Sequence, residues 1–152
     1  MGTPTPLSKS LDTPLDADDE ALIAAARAVI TAHHRPFWHT VAAAIRSRDG
    51  RIWTGVHLGA TVGRLAICAE PIALGRAILE GDGTMTVGVA VRHRKPEEGP
   101  GAPDIVSPCG ACRELLMDYA PDAMVIVPAP SDAMGGPVKR PVRTLLPDPY
   151  RR

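Results

Sequence analysis

Aromatic residues are nearly missing from this chain, making up 3% of its 152 residues. A surface that stacks successive bases needs such rings, so a binder of single-stranded nucleic acid is not expected. Net charge is missing too: acidic and basic residues balance at a formal charge of zero. That removes the electrostatic drive toward a phosphate backbone or an anionic membrane surface. No apolar run approaches the roughly 20 residues needed to cross a bilayer. The opening stretch, MGTPTPLSKSLDTPLDADDE, lacks the apolar segment of a secretory signal. These absences give the expectation of a cytoplasmic protein with no nucleic-acid and no membrane partner. Cysteine is also scarce, and its count of three is odd. In a reducing compartment, two of them in a C-x-x-C spacing suggest metal binding or redox chemistry rather than a disulfide framework.

What is present suffices for one ordinary domain with a core of Ala, Val, Ile and Leu. Residues 1–16 carry three Thr-Pro pairs and little to bury, and read as a disordered leader. Residues 17–152 are expected to form a single domain. Its first helix follows Asp18 and Asp19, with Leu22, Ile23, Ala26, Val29 and Ile30 at helical spacing, and stops near His33–Pro36. Residues 40–46 and 51–58 are strand-like, with Asp49-Gly50 between them as a hairpin signal. A second helix is predicted over 68–80 with Gly81 past its end, a strand over 85–91, a third helix over 109–119 and a strand over 123–127. Residues 92–107 form a Pro/Gly-rich loop, long for a compact domain. Its basic run, Arg92 to Lys95, is followed by Glu97 and Glu98 and reads as part of a solvated loop. One more short strand is expected around 138–143. Helices alternating with strands in this order indicate an α/β fold.

The chemistry lies in the cysteines. Cys68 opens one predicted helix, and Cys109 and Cys112 occupy the first turn of another. A helix N-terminus offers unpaired N–H groups and about half a positive charge, which favours thiolates, the form that binds metal. Three thiolates around a divalent ion leave one position open, which is how catalytic zinc differs from structural zinc. Water at that position becomes a nucleophile near neutral pH. Glu70 stands two residues beyond Cys68, close enough to act as general base.

The pairing of Cys68-Ala69-Glu70 with Pro108-Cys109-Gly110-Ala111-Cys112 is the signature of the zinc-dependent nucleobase deaminases. Residues from about 37 to 150 resemble the small cytidine deaminases and the related blasticidin S deaminase. Further segments carry that resemblance: Asp-Gly-Arg-Ile-Trp-Thr-Gly at 49–55, Ile-Cys-Ala-Glu at 67–70, Ser-Pro-Cys-Gly-Ala-Cys-Arg at 107–113, and Leu-Leu-Pro at 145–147 followed by Tyr150. The resemblance implies a three-layer α/β/α fold with a mixed five-stranded sheet, one Zn2+ per chain, a small-molecule substrate and a homotetramer. It also implies that Glu70 carries a proton from water to a ring nitrogen and then to the departing amine. The Ala69 N–H and the Ser107 carbonyl would meet the base, and Tyr150 would reach a neighbouring subunit's site.

Three departures from that family stand out. An ungapped alignment from Thr54 to Glu70 puts His57-Leu58-Gly59 where an Asn-x-Glu usually meets the ribose. His39 takes the place of a Phe that packs on the base, and Pro71 that of an Arg. Gly59 is therefore expected to leave space where a carboxylate would stand, and His57 to meet a different polar group. Other readings of the cysteines stay open at this point: a structural zinc completed by a histidine, buried free thiols, or a redox pair. The functional rival is a non-catalytic zinc-stabilised module for binding or assembly.

Overall fold

The structure is a computed structural model that describes residues 11–129 and 135–151. The first helix, α1 (Ala17–His33), begins where Asp16 caps it: the Asp16 carboxylate accepts from the Asp19 N–H, and Asp19 returns the contact. Its buried stripe of Leu22, Ile23, Ala26 and Ile30 follows the predicted spacing. Strands β1 (Val41–Arg46) and β2 (Ile52–Val56) form an antiparallel hairpin, with Gly50 at a φ of 86° in the connecting turn. Helix α2 (Ala69–Glu80) leads to β3 (Val87–Arg92), and a loop then reaches the short β4 (Asp104–Val106). Helix α3 (Gly110–Tyr119), β5 (Met124–Val127), β6 (Val138–Pro141) and the single turn α4 (Val142–Leu145) complete the order.

Five strands run in the order β2-β1-β3-β5-β6, and β4 adds a sixth by pairing with β3. The sheet is mixed: β3 and β5 are parallel, and the other pairings are antiparallel. Strand alternation divides the core between its two faces. Ala42, Ala44, Val87, Val89, Val91 and Ile126 pack against α1. Ala43, Ile45, Trp53 and Ala90 face α2, while Val125 and Val127 pack with Leu116 of α3. Each buried Leu or Ile of α1 contributes roughly 1.5–3 kcal/mol. Small alanines on β1 let helices approach from both sides, which makes the domain three layers deep. No described helix is long and apolar enough to cross a membrane.

Three features differ from the sequence reading. Residues 11–16, assigned to the leader, are tied down: Thr13 pairs with Lys139, and Asp12 accepts two hydrogen bonds from Arg140. They cover the outer edge of β6, whereas residues 1–10 lie outside the described residues. The 92–107 stretch holds β4, a three-residue strand hidden by its Pro/Gly-rich surroundings. Its basic run is no mere part of a solvated loop, because Arg92 pairs with Glu98 and Asp104, and Arg94 with Asp104. The fully buried Asp19 does more than complement the helix dipole, since it binds Arg46 of β1 and Lys139 of β6.

Candidate active site

Helices α2 and α3 start side by side, and a cysteine stands as the N-cap of each. Cys68 and Cys109 have extended backbone angles and make no side-chain capping bond, so their sulfurs remain available to a metal. Gly55 permits the approach of α2, because a Cβ there would strike the Ala73 nitrogen and the Ala69 carbonyl. Arg113 fixes the start of α3 by donating to the carbonyls of Pro108 and Leu145.

The three sulfurs of Cys68, Cys109 and Cys112 lie within 4.8 Å of one another, with Cys68 and Cys109 3.5 Å apart. Tetrahedral zinc with Zn–S bonds of about 2.3 Å sets its sulfurs about 3.8 Å apart, so this donor set fits zinc. Burial is graded: Cys112 is buried, Cys68 intermediate and Cys109 exposed, so the cluster opens toward solvent on the Cys109 side. Burial pushes the Cys112 thiol up, reinforced by the charges of Glu70 and the other two sulfurs. Burial also raises Cys68, as does its contact with Cys109. Burial opposes ionisation of Cys109 as well, but the nearby backbone N–H groups of Cys112 and Ala111 and the neighbouring thiols outweigh it and bring that thiol down. A divalent cation held by Cys68, Cys109 and Cys112 would reverse this balance and keep all three as thiolates.

In front of the cluster lies a pocket of about 130 Å3 lined by Val41, His57, Cys68, Ala69, Glu70, Val106, Ser107 and Cys109. That volume is below the roughly 300–1,000 Å3 of pockets that engulf a drug-sized ligand. It suits a single ring. Ala69 is the first residue of α2, and the first N–H groups of a helix have no intrahelical partner. Of the predicted substrate contacts, His57, Ala69 and Ser107 therefore share one pocket with Glu70 and two of the cysteines. His57 Nδ1 lies 3.2 Å from Thr40 Oγ1, which leaves Nε2 as its other polar atom. Burial, then the charge of His39, hold the His57 pKa below its ordinary value, so its ring is neutral near pH 7. Val41, Val106 and Thr40 were missed by sequence reasoning. Nothing local marks two valines as pocket walls or a threonine as the partner of a histidine 17 positions away.

His39, Gly59 and Tyr150 do not line this pocket. His39 acts on it indirectly, with Nδ1 2.9 Å from the His57 carbonyl oxygen. The expected space beside Gly59 is absent: a Cβ there would run into the Phe37 carbonyl, and the Gly59 N–H donates to the Trp38 carbonyl at 2.8 Å. The tight turn over residues 35–39 fills that volume and holds Phe37 at a φ of 70°. A non-glycine residue adopts such a backbone at a cost of about 1–3 kcal/mol. Gly59 is thus a packing requirement and not a vacated carboxylate site. Tyr150 is 79% exposed, and its N–H donates to the Glu114 carboxylate.

A family model described as the cytidine and deoxycytidylate deaminase zinc-binding region matches residues 16–128. A blasticidin-S deaminase from Bacillus cereus is 39% identical over 138 residues, covering 91% of this chain and 96% of that protein. The cytidine deaminase of Burkholderia pseudomallei has a similar crystal structure, with a TM-score of 0.67 and 28% identity over 86% of this chain and 98% of that one. That of Mycobacterium leprae has a TM-score of 0.67 and 27% identity over 88% and 100%.

Proposed function

Because the chain belongs to the cytidine and deoxycytidylate deaminase zinc-binding family and is a hydrolytic deaminase of a small molecule, we propose that Cys68, Cys109 and Cys112 hold one zinc ion and that Glu70 moves the protons. The supporting observation is the convergence of three sulfurs within 4.8 Å beside a one-ring pocket that contains Glu70. Zinc bound by three protein groups supplies Lewis acidity that makes water nucleophilic at neutral pH. Glu70 accepts the proton of the attacking water and returns it to a ring nitrogen of the amidine. It then delivers the second proton to the exocyclic amine, so that C–NH2 and H2O become C=O and NH3. Val41 and Val106 cover the ring and exclude bulk water. The Ala69 N–H and the Ser107 carbonyl orient it.

The substrate is a cytosine-type heterocycle whose substituent is not read in the manner of a ribose. His57, with Nδ1 turned toward Thr40, presents Nε2 to that substituent, and no side chain projects from Gly59. The expected result is that zinc-loaded protein releases ammonia from blasticidin S or a related aminated nucleoside at a higher kcat/KM than from cytidine. Each missing bond between a charged group and a buried hydroxyl lowers cytidine's value by about 10–150-fold. A cytidine kcat/KM near ~10⁵ M⁻¹s⁻¹ or above would overturn this specificity.

We further read the protein as a cytoplasmic homotetramer that does not bind nucleic acid. The cytoplasmic reading rests on three cysteines without a disulfide. Assembly is supported by apolar side chains exposed near the pocket, Leu58, Val62, Leu65 and Ile67, and by the exposed Tyr150. Light scattering is expected to give the mass of four chains. Deleting residues 148–152 is expected to weaken activity more than zinc binding. A monomer mass at working concentration would contradict the assembly.

A further inference from the structure

A second cavity, of about 800 Å3, opens at the same end of the sheet. It lies where β1 begins and β3 ends, and Val41 and Arg92 pair there. Thr40 lines this cavity, and its Oγ1 is 3.2 Å from Nδ1 of His57, which lines the one-ring pocket. One hydrogen-bonded pair therefore joins a wall residue of each space. The pocket beside the cysteines holds a ring and leaves the rest of a larger substrate outside. The adjoining cavity falls within the range of sites that hold a drug-sized group.

Its lining has a definite chemical character. Arg92, Arg94 and Lys95 contribute three cations, and among the described residues no carboxylate belongs to the wall. Glu98 and Asp104 hold Arg92 and Arg94 through ion pairs of 2.9–3.3 Å without lining the cavity themselves. Glu97, the next acid in the loop, does not line it either. Lys95 is exposed and is the one of these three cations that is not in an ion pair given by the structure. Arg94 is held in place, with Nη1 donating to Asp104 and Nη2 to the Glu98 carbonyl. Flat walls complete the space: His34 and His93 stack at 3.5 Å and 8°, and Phe37 stands beside them.

We propose that this cavity receives an anionic arm of the substrate, a carboxylate or a phosphate, while the heterocycle sits beside Glu70. The proposal rests on the deaminase reading of the neighbouring pocket and extends it to a substrate class. The ring enters the one-ring pocket, the arm passes His57 and Thr40, and the anion meets Lys95, beside the paired Arg92 and Arg94, through charge-assisted hydrogen bonds.

The test uses equilibrium binding of compounds that cannot be deaminated. Zinc-loaded protein is titrated calorimetrically with uridine, uridine 5′-carboxylic acid and uridine 5′-monophosphate. At least one anion is expected to bind about 10-fold more tightly than uridine, the low end for hydrogen bonds to charged groups. That advantage is expected to shrink at about 0.5 M salt, where exposed charges are screened. It is also expected to fall at least about 5-fold in Lys95→Gln, with an unchanged melting temperature showing that the fold is intact. The preference between the two anions identifies the arm. Equal binding of uridine and both anions, or an advantage that survives Lys95→Gln undiminished, overturns the proposal. Ammonia release from aminated compounds is measured in parallel. Release without an anion preference removes the arm site alone, whereas an anion preference with no release from any compound removes the deaminase reading.

Discussion

Glu70→Gln is expected to fold, to keep its zinc and to lose about 10²–10⁴-fold in kcat, the range for removing a general acid/base. Gln has nearly the same shape as Glu and can still donate and accept hydrogen bonds in the first turn of α2. It cannot take a proton from water at neutral pH or hand one to a ring nitrogen. The exchange also removes a negative charge from a helix N-terminus, which costs about 0.3–1 kcal/mol and is too little to unfold the domain. Ammonia-release kinetics and metal analysis of the same preparation read the two properties separately. A variant that loses zinc along with activity would make Glu70 a ligand. One that keeps near-normal kcat would move proton transfer to another group, for which His57 in the same pocket is a candidate.

Cys109→Ser is expected to abolish turnover, exceeding the roughly 10–100-fold loss seen when only an outer-sphere partner of a metal is removed. Cys109 is the right cysteine to change because it is exposed, whereas Cys112 is 1% exposed and a hydroxyl there would disturb the core. Serine does not ionise near neutral pH, so the donor set drops from three thiolates to two. Metal binding also contributes to stability, because the unfolded chain has no preformed site. The variant should therefore melt at a lower temperature than the wild type in zinc, and at a similar temperature once the wild type is stripped by a chelator. Unchanged activity in Cys109→Ser, or wild-type activity that survives chelation, would remove the metal from the account.

The clustering of the three cysteines beside Glu70 was legible because it is local. Cys68 and Glu70 lie on one helical turn and Cys109 and Cys112 on another, and the helical spacing of the apolar residues that follow shows both helices, with Gly81 marking the end of the first. What faces the substrate depends on contacts between distant segments. Gly59 looked like a vacated position, but its meaning is set by the Phe37 carbonyl packed over it. Thr40 orients His57 across 17 positions, and Val41 and Val106 meet only because β1 and β4 both pair with β3. Asp19 reads as a first-turn acid until Arg46 and Lys139 are brought to it from other strands. The strand β4 and the anchoring of residues 11–16 on β6 likewise depend on partners that no local pattern reveals.

Zinc-edge X-ray absorption on gently purified protein, with metal content measured on the same sample, tests the central claim most directly. The expected result is about one zinc per chain, bound by three sulfurs at about 2.3 Å and one lighter, non-protein ligand that exchanges with solvent. A metal-free protein with freely reactive thiols, or a zinc closed by a fourth protein ligand such as a histidine, would contradict it.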